Sequence, residues 1–142
     1  MLRNIGKIKT ALSITLERIV KIHSDLNDGI PVQDLSSFIK DLGKFLMTAN
    51  HTQLTPDKIT LVEDIFGILI DKSIDNELVN DDVLKLMLDV RGKAQWVGKC
   101  MESEQLPTNF YTEIGNLGNM LRSLSPLLQS FMTIFLTYQC AN

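Results

Sequence analysis

Along the whole chain, apolar residues recur at intervals of three and four, and hardly any stretch alternates with period two. That spacing places side chains on one face of an α-helix, so the pattern predicts helix from end to end and an all-α fold. The first helix is expected from about Ile8 to Ile22, with Ile8, Leu12, Ile19 and Ile22 turned inward. A second has Pro31 near its first turn, where the missing N–H costs nothing. Its stripe of Leu35, Phe38, Ile39, Leu42, Phe45 and Leu46 is the clearest amphipathic signal in the protein.

Thr55, Pro56 and Asp57 together form a strong start for a third helix: a capping hydroxyl, a proline at the first position and an acid in the first turn. Val62, Ile65, Phe66, Leu69 and Ile70 are its inner face, and Val83, Met87, Val90, Ala94 and Val97 that of a fourth. Gly92 and Gly98 weaken this fourth helix, which implies a bend or a close neighbour. After Leu106, Pro107 and Thr108, a fifth helix aligns Phe110, Ile114, Leu117, Leu121 and Leu124; Gly115 and Gly118 within it read as packing positions. Ser125 and Pro126 repeat the cap-and-proline signal, so a sixth helix is expected over Leu127 to Tyr138. The expected architecture is a single domain over residues 1–142, a compact bundle or orthogonal array of about six helices.

A faint internal repeat lies under this pattern. At a displacement of 48 residues, Ile22, Leu26, Ile30, Asp34, Leu35, Phe38, Ile39 and Leu42 fall on Ile70, Ile74, Leu78, Asp82, Val83, Leu86, Met87 and Val90. The match is mostly of residue class, and it suggests two related helical hairpins followed by a C-terminal one.

Composition sharpens the class. With 142 residues, 44% of them hydrophobic, the chain has enough apolar material to bury a core without disulfides. The net charge of −3 argues against general affinity for nucleic acid, which depends on cations displacing counterions. Charge is also uneven: Arg3, Lys7, Lys9, Arg18 and Lys21 make the start basic, whereas residues 63–89 are acidic. Cys100 and Cys140 form no Cys-x-x-Cys pair, and the N-terminus lacks the apolar run of a signal peptide; both point to an intracellular protein, cytoplasmic by default. Residues 123–142 carry no formal charge, a length close to that of a membrane span. Their scattered Ser, Thr and Gln favour a buried helix over a C-terminal tail anchor.

The segment DKSIDNELVNDD, residues 71–82, is the densest run of polar chemistry. It sets Asp71, Ser73, Asp75, the Glu77 carbonyl and Asp82 at positions 1, 3, 5, 7 and 12 of a twelve-residue turn, the oxygen spacing that calcium loops use. To that extent it resembles an EF-hand loop, and the resemblance implies a divalent-cation-responsive helix-loop-helix. Asn76 replaces the usual glycine and Asp82 the longer glutamate, a set better suited to magnesium than to calcium. The favoured reading of the same residues is a solvated turn, with Asp81 and Asp82 set against the dipole of the next helix.

No nucleotide, metal-cluster or nucleophile motif points to an enzyme or to a bound cofactor. Arg91, Lys93 and Lys99 surround Trp96, a combination seen in strand-binding surfaces, although a lone tryptophan is more often a core or partner-facing anchor. The expectation is therefore a non-enzymatic interaction module, an adaptor, regulator or assembly subunit that binds a partner protein or a second copy of itself. Its contact region is placed at Trp96, Val97, Met101, Phe110 and Tyr111, around the break between the fourth and fifth helices.

Overall fold

The computed structural model describes residues 2–30, 32, 34–48, 53–76 and 81–141, with side chains from Ile14 to Leu128 except Asn76 among these. Five helices account for almost all of it: α1 (Leu2–Asn27), α2 (Leu35–Leu46), α3 (Pro56–Asn76), α4 (Asp81–Glu102) and α5 (Phe110–Ala141). The class is all-α, with five helices in place of about six. The expected inner faces of α2, α3, α4 and α5 up to Leu124 are buried without exception, and Ile19 and Ile22 of α1 join them in one continuous core. Ile8 and Leu12 lie outside the described side chains.

The helix starts show which local signals hold. Pro56 is the first residue of α3, as the Thr55–Pro56–Asp57 signal predicts. The Thr55 carbonyl accepts from the amides of Lys58 and Ile59, and its hydroxyl donates to Asp57, holding that carboxyl below its ordinary range. α2, by contrast, begins at Leu35 and not beside Pro31, which lies outside the described residues. The preceding residue, Asp34, has φ 59°, a left-handed conformation that cannot continue a right-handed helix and so sets the boundary.

The sixth helix is absent as a separate element. Pro126 sits inside α5, because Ser125 is not a cap: it is buried and bonded sideways to α2. Ser36 Oγ donates to the Ser125 carbonyl at 2.7 Å, and Ser125 Oγ donates to the Ser36 carbonyl at 2.8 Å. With Leu121, Leu124 and Leu128 also buried, packing on both sides of Pro126 offsets the backbone bond that proline removes.

Packing pairs close the five helices into a ring in the order α1, α2, α5, α4, α3 and back to α1. Consecutive members run antiparallel, except for α3 and α1, where the ring closes. Ser36 faces Ser125 and Gly43 faces Gly118 across α2 and α5; Lys93 meets Glu113 across α4 and α5; Gly67 lies against Arg91 and Ile59 against Gly98 across α3 and α4. α1 is tied to α2 by Arg18, which bonds Asp41 at 3.1 Å and lies 5.4 Å over the Phe38 ring. The ring closes with α1 beside the parallel α3, where His23 Nε2 stands 3.5 Å from Asp64. The two hairpins suggested by the repeat correspond to α1–α2 and α3–α4; the place of a C-terminal hairpin is taken by one continuous helix.

The tightest contact is the α2–α5 crossing. A Cβ placed on Gly118 would stand 2.7 Å from the Gly43 carbonyl oxygen, and one on Gly43 would stand 2.8 Å from the Gly118 carbonyl. Gly115 and Gly92 face open space, so of the glycines read as packing or bending positions in α5 and α4, only Gly118 and Gly98 touch a neighbour. Gly118→Ala is expected to destabilise the protein by about 1–3 kcal/mol, because backbone must move to admit the methyl group. Gly115→Ala should stabilise it, by up to about 1 kcal/mol of helix propensity. Thermal melts of the two variants should therefore move in opposite directions.

Candidate functional site

The aromatic residues expected at a contact surface are gathered where α4 ends and α5 begins. Phe110 is the first residue of α5 and is buried. Its ring centroid lies 6.4 Å from that of Trp96 on α4 and 5.2 Å from that of Tyr111, the latter pair edge to face. Trp96 and Met101 are half-buried, packed against the core from its rim. Tyr111 is 56% exposed. Val97 is fully buried, so it and Phe110 support this surface from beneath and do not form part of it, a correction to the five-residue set. Helical geometry is the reason: Val97 lies on the Val83–Met87–Val90–Ala94 stripe, while its neighbour Trp96 is turned about 100° toward the edge.

Beside the aromatic residues runs an open groove of about 420 Å³ between α4 and α5, lined by Gly92, Lys93, Trp96, Asn109 and Glu113. Its floor is shallow at Gly92, where a Cβ would meet nothing. Lys93 and Glu113 are hydrogen-bonded across it, and Asn116 donates to the other carboxylate oxygen at 3.2 Å. Donation from Lys93 is the main cause holding the Glu113 carboxyl below its ordinary range; its attraction to that ammonium and the Asn116 bond add to the effect, and partial desolvation opposes it. The groove thus presents an indole, one carboxamide and an internally neutralised charge pair. Asn109 and Glu113 were not foreseen as part of it, since Glu113 is twenty residues from Lys93 and only the antiparallel α4–α5 pairing unites them.

Of the cations around Trp96, Lys93 shares the groove with it and Arg91 does not. Lys93 is held by Glu113, whereas Arg91 lines a different cleft of about 270 Å³ between α1, α3 and α4, together with His23, Asn27, Glu63, Asp64 and Asp71.

The acidic segment also takes another form. Residues 71–76 are the last turn and a half of α3, so a twelve-residue turn from Asp71 is not formed, and the resemblance to an EF-hand loop stops at the sequence. Ser73 is buried, and its hydroxyl donates to the Leu69 carbonyl at 2.6 Å, which turns it away from Asp71 and Asp75. Glu77 lies outside the described residues, and Asp82 is in the first turn of α4. The physical reason is the Leu69–Ile70–Ser73 face, whose burial carries the helix past the acids. Among the described residues, no three His, Cys, Asp or Glu side chains are gathered as metal ligands would be, and no helix is long and apolar enough to cross a membrane. Cys100 is buried and free.

These features define an all-helical bundle with an aromatic-rimmed groove. Comparison with family models, with curated proteins and with solved structures finds no match for this chain.

The Lys93–Glu113 pair gives a pH prediction. A carboxyl whose folded pKa is depressed contributes stability that is fully present above its unfolded pKa and is lost as pH falls through the folded value. Wild type should therefore exceed Glu113→Gln in stability at neutral pH. The difference should shrink as pH drops below the ordinary Glu value of 4.5. Denaturant titrations of both proteins at a series of pH values, at low salt, measure it.

Proposed function

We propose that this protein is a non-enzymatic, helical protein-interaction module, and that its contact surface is the α4–α5 groove with its aromatic rim. The observation that carries the reading is Tyr111. The residue stands 56% exposed, its ring braced edge-on by a buried Phe110 that also meets the half-buried Trp96. A rigid aromatic side chain held out from a packed base loses little conformational entropy on binding and brings a large apolar area with one polar tip, the character of an interface anchor.

The groove lined by Trp96 suits a peptide segment or helix edge. Its walls offer carboxamide donors and acceptors and the indole face, and its one charge pair is already satisfied, so binding strands no charge. Replacement of the flat Tyr111 surface, and not of the supporting Phe110, separates binding from folding.

Introduction of a photoreactive amino acid in place of Tyr111 is expected to capture one defined protein, or a second copy of this chain. The same group in place of Glu17, exposed on α1, should not capture it. Tyr111→Ala should cost no more than the ring pair with Phe110, about 0.5–1.5 kcal/mol, and leave the protein folded. It should weaken affinity for the captured protein at least about tenfold, or about 1.4 kcal/mol. Equal capture at both positions, or undiminished affinity in Tyr111→Ala, would refute the assignment.

A further inference from the structure

A second surface, at the opposite end of α4 and α5 from the aromatic groove, follows from the register of the helices. Lys93 meets Glu113, so Asp81, twelve residues back along α4, is level with Ser125, twelve residues on along α5; Ser36 of α2 is at the same level. Arg91 lies against Gly67, so Asn76, nine residues on, ends α3 beside Asp82, nine residues back. The end of α3, the beginnings of α2 and α4 and the turn after α1 therefore share one end of the bundle.

That end leaves Ile30, Ile74 and Leu127 exposed, at 50%, 56% and 46%. Around them Asp28, Asp34, Asp75, Asp81 and Asp82 are all exposed, while Lys72 and Lys85 stand about a turn further in. Aliphatic side chains in water with an acidic surround fit a ligand that is itself apolar on one face and basic on another.

The chain contains such a segment. Residues 1–13 carry Arg3, Lys7 and Lys9 and no acid, with Ile5, Ile8 and Leu12 at helical spacing. Within one molecule it cannot reach the acidic end. α1 stops at that end, at Asn27, and its 26 residues carry Leu2 about 39 Å away at 1.5 Å each. We infer that the acidic, apolar end of the bundle docks the basic N-terminal segment of a second copy of this chain. The contact is head-to-tail, between two different surfaces, so it extends into open chains unless the geometry closes a ring.

Sedimentation velocity and light scattering on the full chain test this. At low salt, mass should rise with concentration above the 16.0 kDa monomer. It should fall back at high salt, as the screening length shortens from about 30 Å at 0.01 M to about 3 Å at 1 M. Lys7→Glu with Lys9→Glu, and separately Asp28→Lys with Asp75→Lys, should each weaken association at least about tenfold. An equimolar mixture of the two variants should recover it. Lysines at 28 and 75 lie at helix C-terminal ends, where a cation is favourable, and circular dichroism checks that both variants fold.

A wild type that is monomeric throughout, association that survives both reversals, or a mixture that fails to recover it would each overturn the inference. Association that survives the reversals but is lost in Tyr111→Ala would overturn it while leaving the α4–α5 assignment standing.

Discussion

The arrangement depends on two helices meeting backbone to backbone. Gly43 and Gly118 leave α2 and α5 close enough that neither tolerates a Cβ without displacing the other's carbonyl. Seven residues away on each helix, about 10.5 Å along the axis, Ser36 and Ser125 exchange two hydrogen bonds. Two small residues on each helix, at matching separation and in opposite chain directions, select one register. A one-turn slip would bring side chains against the glycines and leave the buried Ser125 hydroxyl without its acceptor, a cost of about 1–3 kcal/mol for the unpaired group alone.

That register propagates. Because α5 is fixed against α2, its N-terminal half is free to pair with α4, and α4 in turn with α3, so the ring closes through α1. The site inherits its geometry from the same chain of pairings. Trp96, Phe110 and Tyr111 come together because α4 and α5 are antiparallel neighbours joined by a short connection, and Lys93 reaches Glu113 for the same reason. Polar ties stay at the margins: Arg18 to Asp41 and His23 to Asp64 fasten α1 at half-exposed positions, where such pairs contribute little to stability but restrict orientation.

Much of the site was legible in part. Trp96 and Tyr111 were named from their place near a break between helices; Trp96 lines the groove, and Tyr111 is exposed against Phe110. Val97 was named with them and is interior, because adjacent residues on a helix differ by about 100° in direction. Glu113, Asn109 and Gly92 gave no signal, since each is an ordinary helix or loop residue whose role arises from what crosses it. In residues 71–82, Asp81 and Asp82 do open α4 as the favoured reading has it, but residues 71–76 are helix and not turn, for a related reason. Spacing suited to ligands in a loop is also spacing along a helix, and the buried face of Leu69, Ile70 and Ser73 decided between them.

By itself the sequence determined the all-α class and which face each helix turns inward, because a 3.6-residue period in hydrophobicity is a property of neighbours along the chain. It also determined the start of α3, where Thr55, Pro56 and Asp57 act within one turn. Tertiary structure alone decided that α5 runs through Ser125 and Pro126, that α2 waits until Leu35, and that Gly118 touches a neighbour while Gly115 does not. Each of these turns on a partner distant in sequence. A proline, a serine or a glycine carries the same local preferences wherever it stands, and only the helix packed against it settles which preference prevails.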